Sequence, residues 1–351
     1  MSGPASPSAF HLAENSGAAV AILLSTFNGE AFLPAQLHSL RGQTHTNWVL
    51  HWRDDGSSDG TLRIMRDFAA QIGPERCVES PSSGHHLGAA ASFLSLLRET
   101  AAGQIIAFAD QDDVWLPDKL HCALARLALA GEAPALYCAR QYRVDAELRG
   151  AVLSASYAGT PGFPACLTQN IANGNTVVMN AAAAALVATA REPEGAVHDW
   201  WSYIVVSAFG GQVMFDDRPQ LLYRLHKGNL IGRAQPGLGR ALAALRRGPA
   251  VYITMMRRHA DALHALSARL SPETRRDLAL IRQGLGGTLA ARLRALRCPH
   301  FKRRTALENL LFRCWFLTNQ RFLPSSQPAA ASSKPAPARR QAPSVPGVTP
   351  P

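Results

Sequence analysis

Three carboxylates within four residues, Asp110, Asp112 and Asp113, stand directly after the apolar run Ile105-Ile106-Ala107-Phe108 and directly before Val114-Trp115-Leu116-Pro117. The run reads as a short buried strand, and Pro117 with Asp118 as the first turn of a helix, so the acids fall in a strand-to-helix loop. In an open α/β sheet that edge is where ligands bind. Like charges this close raise one another's pKa unless a cation offsets them, and an all-oxygen cluster suits a hard ion such as Mg²⁺ or Mn²⁺. The same residues could equally form a solvated acidic loop with a helix-capping aspartate. The rest of the chain decides between these readings.

Other polar groups follow apolar runs in the same manner. Ala18 to Leu24 is a strand-length run that ends in Ser25-Thr26-Phe27-Asn28-Gly29, and Trp48 to Trp52 runs into Arg53-Asp54-Asp55-Gly56-Ser57. Each is followed by a helical pattern, with Leu33, Leu37 and Leu40 on the first face and Leu62, Met65 and Phe68 on the second. Strand alternates with helix up to about residue 140, which predicts an α/β fold with a mostly parallel, Rossmann-like sheet flanked by helices. Beyond it, 174–180 reads as a strand, 181–191 as a helix, and His198-Asp199-Trp200-Trp201 as the start of a helix reaching Phe209. Residues 213–215 and 220–224 read as two more short strands. Helical composition then dominates 238–320, with breaks at Gly248-Pro249, Pro272 and Pro299.

Composition bounds the alternatives. A chain of 351 residues with 47% hydrophobic and 17% charged residues buries a large core. Its net charge of +11 is unevenly placed: residues 1–232 hold 15 Lys and Arg against 21 Asp and Glu, and residues 233–323 hold 18 against 4. We therefore divide the chain into a floppy leader (1–17), a catalytic region (18–232), a basic helical region (233–323) and a disordered Pro/Ala/Ser tail (324–351). The six cysteines show no metal-ligand spacing, and no secretory signal stands at the N-terminus, so we expect reduced thiols in a cytoplasmic protein. The uncharged stretches 150–190 and 200–215 are broken by Pro and Asn, or too short, to span a bilayer.

Taken together, Leu24-Ser25-Thr26-Phe27-Asn28-Gly29, Gln43-Thr44, Arg53 to Thr61, Asp110 to Pro117, His198-Asp199-Trp200-Trp201 and Tyr223-Arg224-Leu225-His226 resemble, in order, the motifs of the family 2 glycosyltransferases with the GT-A fold. Within that family the chain is similar to the bacterial rhamnosyltransferase-like members. The resemblance spans residues 18–232 and implies a nucleotide-sugar donor lying across the first half of the sheet. Ser25, Thr26, Phe27 and Asp55 would then bind the nucleoside, with Asp55 accepting a base N–H. Asp112 would be the main ligand of a divalent cation (Mg²⁺ or Mn²⁺), with Asp110 on the donor side and Asp113 and His226 as further ligands. Asp199 would be the general base for inverting transfer, and Trp200, Trp201 and Asn175 would face the acceptor. Phe27 stands where the family usually has Tyr, and the absence of a Gln-x-x-Arg-Trp motif argues against a processive synthase.

Two other function classes compete. A nucleotidyltransferase acting on sugar phosphates would want a basic phosphate loop after the first strand, and residues 25–29 hold no basic residue. A non-enzymatic nucleic-acid binder could use the Arg-rich C-terminal region, but no nucleic-acid motif accompanies it, so no nucleic-acid partner is expected. The expected partners are a nucleotide-sugar donor (dTDP-rhamnose type), a glycan or lipid-linked acceptor in cell-surface polysaccharide synthesis, and an anionic membrane surface. Attachment would be peripheral, on the inner face of the cell membrane. It would run through residues 233–323, where Arg pairs interleave with Phe301, Leu307, Leu310, Leu311, Phe312, Trp315, Phe316 and Phe322.

Overall fold

The computed structural model describes residues 17–157, 159–226 and 237–318, with side chains of the helix that begins at Gly237 described from Pro249 onward. The expected leader (all but Gly17) and tail lie outside the described residues.

The apolar runs form β1 (Val20–Thr26), β2 (Trp48–Asp54), β3 (Cys77–Glu79) and β4 (Ile105–Asp110), joined by α1 (Leu33–Arg41), α2 (Thr61–Ile72) and α3 (Ala89–Thr100). These four strands are parallel, in the order β3-β2-β1-β4. Helices cover both faces of such a sheet, so its strands are apolar throughout instead of alternating. In β1 the period of two still sorts side chains. Val20, Ile22 and Leu24 join a core with Leu33, Leu37, Met65 and Leu120, while Ala21 and Leu23 join a second core with Phe93, Leu97 and Phe108.

The sheet continues through β5 (Val114–Trp115), β6 (Ala135–Val144), β7 (Val152–Leu153), β8 (Val178–Met179) and β9 (Gln212–Arg224), with α4 (Lys119–Leu127), α5 (Ala181–Thr189) and α6 (His198–Ala208) between them. The full order is β3-β2-β1-β4-β8-β6-β9-β5, with β7 beside β6. β6 and β9 are parallel; β8 runs antiparallel to both β4 and β6, and β5 antiparallel to β9.

Three expected elements differ. The helix break expected at Gly248-Pro249 is absent, one helix running from Gly237 to Ala265 with Pro249 inside it. The strand read over 174–180 is a 3₁₀ turn, Gly174–Thr176, followed by the two-residue β8, because the turn answers to polar partners in the site and not to a neighbouring strand. The two strands read at 213–215 and 220–224 are one. A register shift opposite Ala139 and Arg140 leaves Asp217 and Arg218 outside the ladder, and this bulge carries β9 past Pro219.

α7 (Gly237–Ala265), α8 (Pro272–Gly286), α9 (Leu289–Ala295) and α10 (Ala306–Leu317) complete the described residues. Ser271, Thr288 and Thr305 cap the last three, each side chain accepting a backbone N–H from the first turn. The apolar faces of these helices do not form a core of their own. Ile253, Met256, Leu263, Ile281, Phe312 and Phe316 belong to the same cluster as Trp201, Ile204 and Val205 of α6. The division expected after residue 232 therefore marks a change of charge, not a gap in packing. Phe301, Phe312 and Phe316, expected on a lipid-facing side, are buried, while Leu307 and Leu310 are exposed; Phe322 lies outside the described residues. No helix among the described residues is long and apolar enough to cross a membrane.

Candidate active site

Strand register assembles the site. Ser25 pairs with Asp110 across β1 and β4, and Thr26 with Asp54 across β1 and β2, so three loops leave the sheet at one edge. Short polar bonds stitch the first two together: Asn28 N–H donates to Ser57 Oγ (2.8 Å), Gly29 N–H to Thr61 Oγ1 (2.8 Å), and Ser58 N–H to Asn28 Oδ1 (2.9 Å). Gln111 ties the acidic loop to them, its Oε1 accepting from Phe27 N–H and its Nε2 donating to Phe27 O, both at 2.9 Å. A Cβ at Gly29 would fall on the Gln111 amide, which explains a glycine there. Sequence reading passed over Gln111; its only signal was an amide set among carboxylates.

Asp54 and Asp55 divide their work. Asp54 builds the turn, accepting from Thr26 Oγ1 (2.9 Å), Gly56 N–H (3.0 Å), Ser57 N–H (2.7 Å) and Ser57 Oγ (2.6 Å). Asp55 is buried among donors: Leu87 N–H (2.6 Å), Arg53 Nη1 (2.6 Å), Gly88 N–H (2.9 Å), Ser92 Oγ (3.1 Å) and His86 Nδ1 (2.9 Å). Burial pushes its pKa up, but the bonds from Leu87, Arg53, Gly88 and Ser92 outweigh burial and hold it below the usual carboxylate range. Of the expected nucleoside-pocket residues, Phe27 is open to solvent, with its ring 5.3 Å from that of His86. Thr26 has no exposed surface and spends its hydroxyl on Asp54, so it does not face a ligand directly as expected. The segment around His86 and Leu87 carried no motif, and only the fold reveals it.

The acidic loop is graded by burial. Asp112 and His226 are partly exposed and joined, His226 Nε2 to Asp112 Oδ2 at 2.7 Å. Asp110 is raised to about 7, first by burial, then by the charges of Asp112 and Asp199, with Lys119 opposing. Asp113 is fully buried, and each of its oxygens is taken: Oδ1 by Arg224 N–H (3.2 Å), Oδ2 by Asn175 Nδ2 (2.5 Å). Burial and the two neighbouring acids raise its pKa well above the carboxylate range. Asp113 thus buttresses β9 and the 174–176 turn, a role that corrects the expectation of a direct metal ligand.

No group of three or more His, Cys, Asp or Glu poised to hold a metal occurs among the described residues. The pair Asp110 and Asp112 nevertheless fits a hard divalent cation. Such an ion is commonly held by one or two carboxylates with substrate phosphates and water completing its shell, and the mutual repulsion that lifts Asp110 is what a cation would relieve.

Beneath the loop lies Lys119, another residue the sequence reading missed. It is fully buried, its Nζ donating to Asn175 O at 2.8 Å and sitting 3.1 Å from the centre of the Trp115 ring. Burial pulls its pKa well down, opposed by Asp113 and Asp110. Asn175 is buried as well, held by its backbone to Lys119 and by its side chain to Asp113, so it does not face an acceptor as expected.

Asp199 opens the first turn of α6, where the helix N-terminus faces it. Burial raises it to about 6, against bonds from Trp200 N–H (2.5 Å) and Gly174 N–H (2.8 Å). Gly174 needs to lack a side chain, since a Cβ would stand 2.8 Å from His198 Nε2. His198 itself is stacked on Phe93 (4.2 Å between ring centres), and burial depresses its pKa to about 3, so it is a neutral core ring. Trp201 has no exposed surface, which corrects its expected acceptor role; Trp200 is partly buried and donates Nε1–H to Cys166 O at 2.7 Å.

Residues 21–173 match the family model Glycosyl transferase family 2. The chain is 26% identical over 221 residues to the dTDP-rhamnosyl transferase RfbG of Shigella flexneri, covering 60% of this chain and 73% of that one. It is 31% identical over 108 residues to the Escherichia coli UDP-Glc:alpha-D-GlcNAc-diphosphoundecaprenol beta-1,3-glucosyltransferase WfgD, covering 31% of this chain and 40% of that one. The chain spans less than half the length of the relatives it matches at above 30% identity. In fold it is similar to residues 1–349 of S. aureus TarS, crystallised with UDP-GlcNAc, with a TM-score of 0.55, 16% identity, and coverage of 80% of this chain and 79% of that one. The similarity to glycosyltransferase family 2 thus lies in residues 21–173, and the fold of the chain is similar to the GT-A fold.

Proposed function

We propose that this chain transfers a sugar, with inversion and with the help of a divalent cation, from a nucleotide-sugar donor to a glycan or lipid-linked acceptor in cell-surface polysaccharide synthesis. One observation carries the reading: Asp199, a buried carboxylate titrating near 6, lies close enough to the acidic loop for its charge to raise Asp110. A base poised near neutral pH beside a cluster suited to a diphosphate is what displacement at an anomeric carbon requires.

Asp55 accepts the base N–H of the donor. Its donors are already in place, and the most exposed of them is the His86 ring, which yields to the base. Ser25 and Phe27 line the nucleoside, and Asp112 with Asp110 would hold the cation, His226 standing at its edge. When bound, the cation would offset the charge that develops on the leaving diphosphate. Asp199 withdraws the proton of the attacking acceptor hydroxyl, and the N–H groups of Gly174 and Trp200 fix the carboxylate for that step. Similarity to RfbG favours a dTDP-rhamnose donor, and similarity to WfgD an acceptor carried on a diphosphate lipid. A thermal-shift panel of UDP-, GDP- and dTDP-sugars, with and without Mn²⁺, tests the reading. A ligand at 100 times its Kd adds about 2.7 kcal/mol, and the absence of metal-dependent stabilisation by any donor refutes it.

The same proposal seats the protein on the anionic inner face of the cell membrane. Exposed Leu307 and Leu310, near exposed Lys302, Arg304 and Arg313, supply an apolar and basic surface, each basic residue contributing about 1 kcal/mol near such a leaflet. Because α7–α10 share the core of α6, the test is point substitution and not truncation. Leu307→Ser with Leu310→Ser should lower co-sedimentation with anionic vesicles, high salt should lower it further, and equal binding to neutral vesicles refutes it.

A further inference from the structure

A second cleft, of about 310 Å³, opens where β6 and β9 end, and its lining includes Arg143, Asp145, Arg149, Val152 and Leu225. Arg149 is committed to its own loop, 3.4 Å from Asp145 and 3.1 Å from Glu147. Arg143 is not. Its Nε is buried without a hydrogen-bond partner, and no described group accepts from the rest of its guanidinium. A half-buried cation left without an acceptor costs stability, and its planar fork matches the oxygens of a phosphate.

Register says where this cleft lies. Arg143 pairs with Tyr223 and Val144 with Arg224, and Arg224 touches the acidic loop through its N–H on Asp113 Oδ1 (3.2 Å) and its Nε on Asp112 O (2.9 Å). The Ser25 and Asp55 loops leave β1 and β2, on the other side of β4 in the sheet order. The acidic loop therefore stands between the donor pocket and this cleft. Val152, which is 55% exposed, and Leu225 add an apolar wall that a bare sugar hydroxyl would not use.

We propose that the cleft is the subsite for a phosphate ester of the acceptor, with Arg143 its principal ligand; an apolar chain, where that phosphate carries one, lies against Val152 and Leu225. The assignment rests on the transferase reading. The phosphate could belong to a prenyl diphosphate carrier or to a soluble phosphorylated glycan, and the two sources share the same arginine.

Phosphorus NMR titration of the full chain in EDTA, with inorganic pyrophosphate and with farnesyl diphosphate as probes, decides it. Wild type should bind both. Arg143→Met, which breaks no bond within the described residues and should melt as wild type does, should weaken both by roughly tenfold or more, with Arg143→Lys between them. Tighter binding of farnesyl diphosphate, lost in Val152→Ser while pyrophosphate is unaffected, assigns the lipid carrier; equal binding of the two probes assigns the soluble source. Undiminished binding by Arg143→Met, or no binding of either probe by wild type, overturns the proposal. Titrating UDP and dTDP with Mn²⁺ separates the two readings: failure of all nucleotides to bind wild type sinks the transferase assignment, whereas a nucleotide affinity unchanged in Arg143→Met shows that the donor site is elsewhere.

Discussion

Asparagine at position 199 would keep the shape of the carboxylate and remove its titration. Burial lifts Asp199 from its ordinary 3.8 to about 6, a shift of about two units, or about 3 kcal/mol. A pKa that is higher in the folded state means that the native protein holds the proton more tightly than the unfolded chain. The cost of the ionised form is thus absent below about pH 4, grows as pH rises, and is complete above about pH 6. Asparagine escapes it at every pH. It also turns an NH₂ toward either Gly174 N–H or Trp200 N–H, which costs about 1–3 kcal/mol, but that loss does not change with pH. The stability of Asp199→Asn relative to wild type should therefore improve by up to about 3 kcal/mol between pH 4 and pH 7.5, whatever its absolute offset, as read by urea denaturation at the two pH values. Transfer should fall by about 10² to 10⁴ with donor binding intact, and the wild-type rate should drop about tenfold per pH unit below about 6. A stability difference that is flat with pH, or a mutant rate within about tenfold of wild type, refutes the assignment.

Asp112→Asn should abolish the metal-dependent part of donor affinity without unfolding the chain; calorimetric titration with Mn²⁺ reads it, and unchanged affinity removes Asp112 as the principal ligand. Lys119→Met leaves Asn175 O without its donor and removes the amine that Asp113 and Asp110 act on, so we expect a loss of about 3 kcal/mol of stability, an unaltered donor KM and a kcat lowered about tenfold; an unaltered kcat would show the tether to be structural only. Gly174→Ala drives a Cβ against His198, whose ring is clamped on Phe93, and should destabilise by about 1–3 kcal/mol in urea; a negligible effect would show that the ring can yield.

Much of the site was legible because strand-to-helix loops announce themselves: an apolar run, then small and acidic residues, then a helical pattern. Asp55, Asp110 and Asp112 stand in loops of this kind, whereas Asp199 was singled out by the family resemblance, and the register of β1 with β2 and β4 explains why residues up to 85 apart in sequence meet. Burial was not legible. Asp113 reads in sequence as one more acid of the cluster, and only the contacts of Asn175 and Arg224 give it a supporting role. Lys119 reads as a helix-start lysine and Trp201 as an aromatic beside a base, yet tertiary packing takes both out of solvent. In the last third the apolar residues were legible but their partner was not: Phe301, Phe312 and Phe316, expected to face lipid, pack into the core instead, because spacing along a helix says nothing about what its apolar face meets.

The continuous core beneath α6 has a mechanical meaning. α6 carries Asp199 at its first turn, and its Trp200 and Trp201 rings lie 5.3 and 6.0 Å from that of His259 on α7, which is in turn packed with α10 through Tyr252 and Phe312, 6.3 Å apart. The helix that exposes these leucines and the helix that carries Asp199 are thus linked through the aromatic rings of α10, α7 and α6. On the function proposed above, whatever surface those leucines rest on would fix the direction from which an acceptor reaches Asp199, as a handle fixes the heading of a blade.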